Sequence, residues 1–140
     1  MERDEYVAQV RAGYAALGEG HYETAFELID EHVVMHIAGD HPLSGTYRGK
    51  SGLLAYMDAM VAASEGSNAY TVVSVMVDEV TGGVLVEGTA VHGTEQPFVR
   101  TIVHQLRFED GRVVEVWQRP FDQAAEDQFW RSAMPTRRET

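Results

Sequence analysis

The sequence predicts an α+β fold in which helices pack on one face of an antiparallel sheet. Three observations predict it. Before residue 65, apolar residues recur in several stretches at steps of three and four. From residue 69 to 119 the chain turns to short runs rich in β-branched residues, punctuated by glycine-containing turns. The helical stretches stand apart from the main run of strands instead of alternating with them, as a parallel βαβ array would require. A chain of 140 residues suits one domain, expected over 1–134, with 135–140 as a frayed tail.

The first helix is expected over 5–18, where Tyr6, Val7, Val10, Tyr14 and Leu17 form one stripe. Gly18-Glu19-Gly20 ends it, since glycine tolerates the left-handed cap. A second helix is expected from His21 to about Asp30, with Tyr22, Ala25, Phe26 and Ile29 on its apolar side. Residues 32–38 read as a strand and 39–49, with Pro42, Gly45 and Gly49, as a loop. A third helix spans about Lys50 to Ser64. Strands follow at Tyr70–Val77, Val84–His92, Phe98–Phe108 and Val113–Arg119, with turns at Asp78–Gly83 and Gly93–Pro97. Asp110-Gly111 suits the tight hairpin before the last strand, because its positive φ angles match the strand twist. Pro120 ends the ladder, and a short helix is expected from Asp122 to about Arg131.

Composition narrows the function. The 22 acidic residues outnumber the 11 basic ones, a net charge of −11. Such a chain repels phosphate backbones and anionic lipid, so neither a nucleic-acid nor a membrane partner is expected. The start, Met1-Glu2-Arg3-Asp4-Glu5, has no apolar stretch of the signal-peptide kind behind it, and a cytoplasmic location is expected. There is no cysteine, which removes disulfides, thiolate metal sites and a Cys nucleophile. His32 and His36 are four apart, but on a strand that spacing separates them by ~13 Å, so no metal site is expected even with Asp40 and His41 nearby. Serine-elbow, phosphate-loop and dinucleotide motifs are absent, and no cofactor is expected.

The order of elements resembles the nuclear transport factor 2-like superfamily, and within it the SnoaL-like polyketide cyclase and ketosteroid isomerase group. The resemblance is carried by Val34-Met35-His36 leading into Gly39, by Ser44-Gly45-Thr46-Tyr47-Arg48-Gly49, and by 110–117 followed by Asp122. It implies a cone-shaped, strongly curved antiparallel (mixed) sheet on three N-terminal helices, a cystatin-like α+β barrel. It also implies an apolar pocket for a small hydrophobic molecule. It does not choose among isomerases, cyclases, dehydratases, hydrolases and binding domains, because function resides in the site.

Candidate residues follow from inward-facing positions. On strand 98–108 the even face is the more apolar and yet holds Arg100 and His104, polar groups of the kind a small-molecule pocket needs. On the last strand Val113, Glu115, Trp117 and Arg119 share a face. The resemblance favours Trp117 as a pocket wall, with Glu115 beside it. His36 ends the first strand near the expected mouth and suits proton transfer. The resemblance implies Tyr14 as a donor to a developing enolate, and Asp122 as an acid/base carboxylate or helix cap. Tyr14, His36, His104 and Asp122 are thus the expected catalytic residues, and Arg100, Glu115, Trp117 and Tyr56 the expected ligand contacts. Two functions fit: cofactor-free proton abstraction from a hydrophobic carbonyl compound, with His36 or Asp122 as base, or binding without catalysis. An outer sheet face bearing Val99, Val103, Val114 and Val116 also predicts a homodimer.

Overall fold

The computed structural model describes residues 2–66, 69–77, 81–90 and 96–134, with only the backbone of Val77 and of 81–90. The expected turn at 78–83 is described only from 81 onward. The end of the fourth expected strand at 91–92, most of the loop at 93–97, the tail 135–140 and the side chain of Glu87 lie outside the described residues.

Helix α1 (Arg3–Gly18) opens with a capping box in which Glu2 and Glu5 each serve the other's backbone. Its apolar stripe is weak, and Tyr6 and Val10 are its main anchors in the core. Helix α2 is a single turn (Tyr22–Ala25), not the ten residues expected. Ile29 has instead become the start of strand β1 (Ile29–Ile37), where it pairs with Val113. The expected loop at 39–49 contains a short strand, β2 (Gly45–Arg48), which pairs antiparallel with β1. Helix α3 (Gly49–Ala63) follows, burying Leu53, Tyr56, Met57 and Met60. Strands β3 (Ala69–Val77), β4 (Thr81–Ala90), β5 (Phe98–Glu109) and β6 (Arg112–Pro120) then form a meander, and α4 (Gln123–Ala133) closes the described chain.

The six strands make one mixed sheet in the order β2-β1-β6-β5-β4-β3. All pairs are antiparallel except β1 with β6. The sheet stays open, with β2 and β3 at its edges, so the expected barrel is an unclosed one. The helices cover one face, and the core lies between. Among the described residues no helix is long and apolar enough to cross a membrane.

Strand β5 alternates as its sequence requires: Arg100, Ile102, His104, Leu106 and Phe108 are buried. Strand β6 does not. A bulge between Arg107 and Phe108 shifts its register against β5, and Val113, Val116 and Gln118 are all buried. Val116 is therefore core, not part of the outer apolar face, which keeps exposed Val99 and half-buried Val103 and Val114. The same bulge leaves Glu115 and Trp117 on the outer side.

The loop after β1 is latched to α4. Gln123 Nε2 donates to Ala38 O at 3.3 Å, Asp40 N–H donates to Asp127 Oδ1 at 3.1 Å, and Arg131 pairs with Asp40 at 2.8 Å. Gly39 sits beneath these side chains at φ +99°, where an added Cβ would fall 2.1 Å from Gln123 Nε2 and 2.3 Å from Asp127 Oδ1. Gly39→Ala is expected to lose about 2 kcal/mol, combining left-handed strain with the displaced latch. Gly20→Ala, at φ +79° with open space around it, meets the strain alone and is expected to lose about 1 kcal/mol. Urea unfolding of both variants checks the difference.

Candidate functional site

Between the helices and the inner sheet face lies a cavity of about 130 Å³. Most of its wall is apolar and comes from five elements: Val10 and Leu17 of α1, Met57 and Met60 of α3, Met35 of β1, Leu106 of β5, Val113 and Val116 of β6. Gln9, which is exposed, marks the solvent side. An engineered apolar cavity of roughly 150 Å³ takes a benzene, so this space admits one ring or an equivalent aliphatic group.

Polar groups enter the wall at a few points, and four of them form a chain. The Tyr14 hydroxyl donates to His104 Nδ1. His104 Nε2–H donates to Gln118 Oε1 at 3.3 Å, and Tyr56 donates to the same oxygen at 3.2 Å. His104 and Gln118 face each other in the β5–β6 register. Because the Gln118 oxygen only accepts, the neutral imidazole carries its proton on Nε2 and offers Nδ1 as acceptor. Burial disfavours charge throughout. It lowers His104 to about 4, with the hydrogen bond to Gln118 opposing and Arg100 reinforcing the fall. The hydroxyls of Tyr14 and Tyr56 are pushed well above the ordinary tyrosine value by the same desolvation. At neutral pH these four groups are uncharged, and among the described residues no carboxylate or cation lines the cavity.

Tyr70 of β3 adds a further polar group. Its ring meets that of His104 edge-on, with centroids 5.6 Å apart. Arg100 lies behind it, outside the cavity wall, and donates from Nη2 to the Tyr70 hydroxyl at 3.3 Å. Arg100 is itself paired through Nε with Glu126 of α4 at 3.0 Å, and the Trp130 indole N–H donates to the same carboxylate oxygen at 3.0 Å. Burial raises the Glu126 carboxyl, and Arg100 pulls it back.

The other expected residues lie elsewhere. His36 is on the outer sheet face, where Nε2–H donates to Glu115 Oε2 at 2.5 Å and the ring stacks on Trp117 at 5.5 Å. Arg107 donates to the second oxygen of Glu115 at 3.1 and 3.2 Å. These partners hold the Glu115 carboxyl below its usual range, His36 having the largest effect. Asp122 is exposed and caps α4, accepting from Ala125 N–H at 3.0 Å. The structure thus brings Tyr14, His104 and Tyr56 together at the cavity, sets Arg100 behind it, and leaves His36, Glu115, Trp117 and Asp122 away from it. Among the described residues no three His, Asp or Glu side chains are placed to hold a metal ion.

Comparison with known proteins follows the same lines. A family model described as the SnoaL-like domain matches residues 10–116. The chain belongs to this family. No curated protein matches it. Among solved structures it is similar to Bal32a from a soil-derived mobile gene cassette, at 25% identity and a TM-score of 0.85 over 91% of this chain and 98% of that one. It is similar to a Xanthomonas campestris protein with a cystatin-like fold, at 27% identity and a TM-score of 0.80 over 89% and 97% of the two chains. TerC, co-crystallised with polyporic acid, shares 16% identity and a TM-score of 0.74 over 89% and 96%, a likeness of fold alone.

Sequence reasoning passed over Gln118 and Tyr70 in this SnoaL-like domain. A signal existed for Gln118, a polar residue on a face otherwise carrying Val114 and Val116. Tyr70 opens its expected strand beside Thr71, where a tyrosine is an ordinary strand residue and carries no mark of a site.

The buried imidazole makes stability depend on pH. His104 takes up a proton near pH 4 in the folded chain and near 6.5 when unfolded. Between these values only the unfolded chain binds the proton, so stability rises with pH through this window and levels off above it. The expected loss on going from pH 6.5 to pH 4 is about 3 kcal/mol from this group. His104→Gln is expected to flatten that part of the profile, read by urea titrations at half-unit pH steps; an unchanged slope contradicts the assignment.

Proposed function

We propose that this SnoaL-like domain binds a small, neutral, largely apolar carbonyl compound and moves a proton on it, without a cofactor, using Tyr14 and His104 as the acid/base pair. The observation that carries the proposal is the uncharged chain Tyr14–His104–Gln118–Tyr56 set in an apolar wall. Gln118 fixes the imidazole tautomer, so His104 Nδ1 faces Tyr14 as a base. A substrate C–H proton passes to the Tyr14 oxygen as the Tyr14 proton passes to His104 Nδ1. The imidazolium that forms is costly in this setting, since the group prefers to be neutral above about pH 4. It therefore returns the proton readily, either to the same carbon or to another, and the net change is an isomerisation that needs no co-reactant. Aldol cyclisation and dehydration begin with the same abstraction.

Binding without catalysis is the second reading. It is favoured by one specific observation: Tyr14 and His104 already satisfy each other. Proton exchange separates the two. Neutral ring ketones are incubated with the protein in D₂O, and α-deuteration is followed by NMR. Exchange above the buffer rate is expected, falling about 100-fold in Tyr14→Phe and His104→Gln, within the usual range for removing an acid/base group. His36→Ala and Asp122→Ala, whose side chains are remote from the cavity, are expected to stay within twofold. Binding with no exchange in any ketone supports the second reading, and a large loss in His36→Ala or Asp122→Ala overturns the assignment of the pair.

A further inference from the structure

Three donors of the Tyr14–His104–Gln118–Tyr56 chain already serve good acceptors. The Tyr14 proton goes to an imidazole nitrogen, and those of His104 and Tyr56 go to an amide oxygen. Tyr70 is placed differently. Its hydroxyl lies in the same cavity wall and donates to Met60 Sδ at 3.6 Å, a thioether and thus a weak acceptor. Its oxygen accepts from the Arg100 guanidinium at 3.3 Å. A cation donating to a phenol oxygen polarises the O–H and strengthens what it donates.

The guanidinium is fixed in place. Its side chain is 4% exposed, paired with Glu126, and surrounded by the rings of Tyr70, Phe98 and Trp130 at 5.6, 5.7 and 5.5 Å. A donor oriented in advance, in a site that excludes water, is what stabilises charge developing on an oxygen. The edge-on contact between the rings of Tyr70 and His104 brings this donor to the same end of the cavity as the base.

We infer that Tyr70, positioned by Arg100, takes the ligand's carbonyl oxygen in place of Met60 sulfur, which makes the substrate class a neutral ketone or aldehyde with a removable proton beside the carbonyl. This rests on the proposed acid/base reading of the cavity. Tyr70 then stabilises the enolate oxygen that forms as the Tyr14–His104 pair removes the proton, and releases it unchanged when the proton returns. Arg100 is a positioning residue, acting through Tyr70.

The test uses two aromatic probes of similar shape, nitrobenzene and 4-nitrophenol, the second ionising to an oxyanion. Wild-type protein is expected to bind both, and to bind 4-nitrophenolate more tightly than 4-nitrophenol, so that the bound phenol ionises at lower pH than the free one. Its absorbance reads this directly, with no variant needed. Tyr70→Phe is expected to weaken 4-nitrophenolate by about tenfold or more, the scale of a hydrogen bond to a charged group, and to leave nitrobenzene within twofold. Equal 4-nitrophenolate affinity in wild type and Tyr70→Phe, parallel loss of both probes in that variant, or a raised ionisation pH in wild type overturns the inference and leaves the cavity reading standing. Failure of wild type to bind either probe overturns both.

Discussion

The hydrogen-bonded chain Tyr14–His104–Gln118–Tyr56 ties α1, β5, β6 and α3 together across the interior. His104, Gln118 and Tyr56 are buried and Tyr14 is half-buried, and a buried donor or acceptor left unmatched costs about 1–3 kcal/mol. The four elements are therefore held at the spacing at which the chain closes. That spacing is too wide for the apolar side chains around it to fill, and a cavity of about 130 Å³ results. An unfilled interior forgoes the dispersion contacts that a filled core would make. A set of polar contacts that keeps an interior open at such a cost is better understood through binding than through stability.

Charge is sorted between the two faces of the sheet by the β6 bulge. On the outer face Glu115 is ion-paired with Arg107 and hydrogen-bonded to His36 beside Trp117, in contact with solvent. On the inner face the imidazole is neutral and, among the described residues, no ionised group lines the cavity. The charges that are buried, Arg100 and Glu126, are matched to each other and set behind Tyr70. A buried pair of this kind is weak evidence for stability, because desolvation offsets most of the attraction. Its stronger consequence is geometric: it fixes a cation next to one hydroxyl of the cavity wall.

Much of this was legible in the residues. Alternation along 98–108 places His104 and Arg100 on the buried face, as the structure does, since nothing interrupts the β5 pleat before Arg107. The stripe of α1 likewise turns Tyr14 inward. The failures have local causes. Strand β2 is four residues at a sheet edge between Gly45 and Gly49, too short for a period to register. The periodic residues Tyr22, Ala25, Phe26 and Ile29 satisfy a helix and a turn-then-strand equally well, and the parallel pairing of Ile29 with Val113 decides for the strand. That pairing joins positions 84 apart in sequence and has no local signature. The bulge at Arg107/Phe108 reverses the face of Glu115 and Trp117 without changing a residue type, so strict alternation from Val113 misplaces both.

The net charge of −11 gains a sharper meaning from this arrangement. An acidic surface repels anions on approach, and an anion meets no charged group until it reaches the Tyr70 hydroxyl with Arg100 behind it. A neutral carbonyl compound is not repelled. If it loses a proton once inside, negative charge appears on its oxygen only there, beside a hydroxyl that Arg100 has already polarised. The distinction between ground state and enolate is thus drawn by placement. The acidic exterior favours the uncharged form on approach, and the cation one residue behind the wall favours the charged form inside. An arginine in the wall itself would bind carboxylates and phosphates from solution; set behind Tyr70, it acts on the oxygen of a ligand that has entered uncharged.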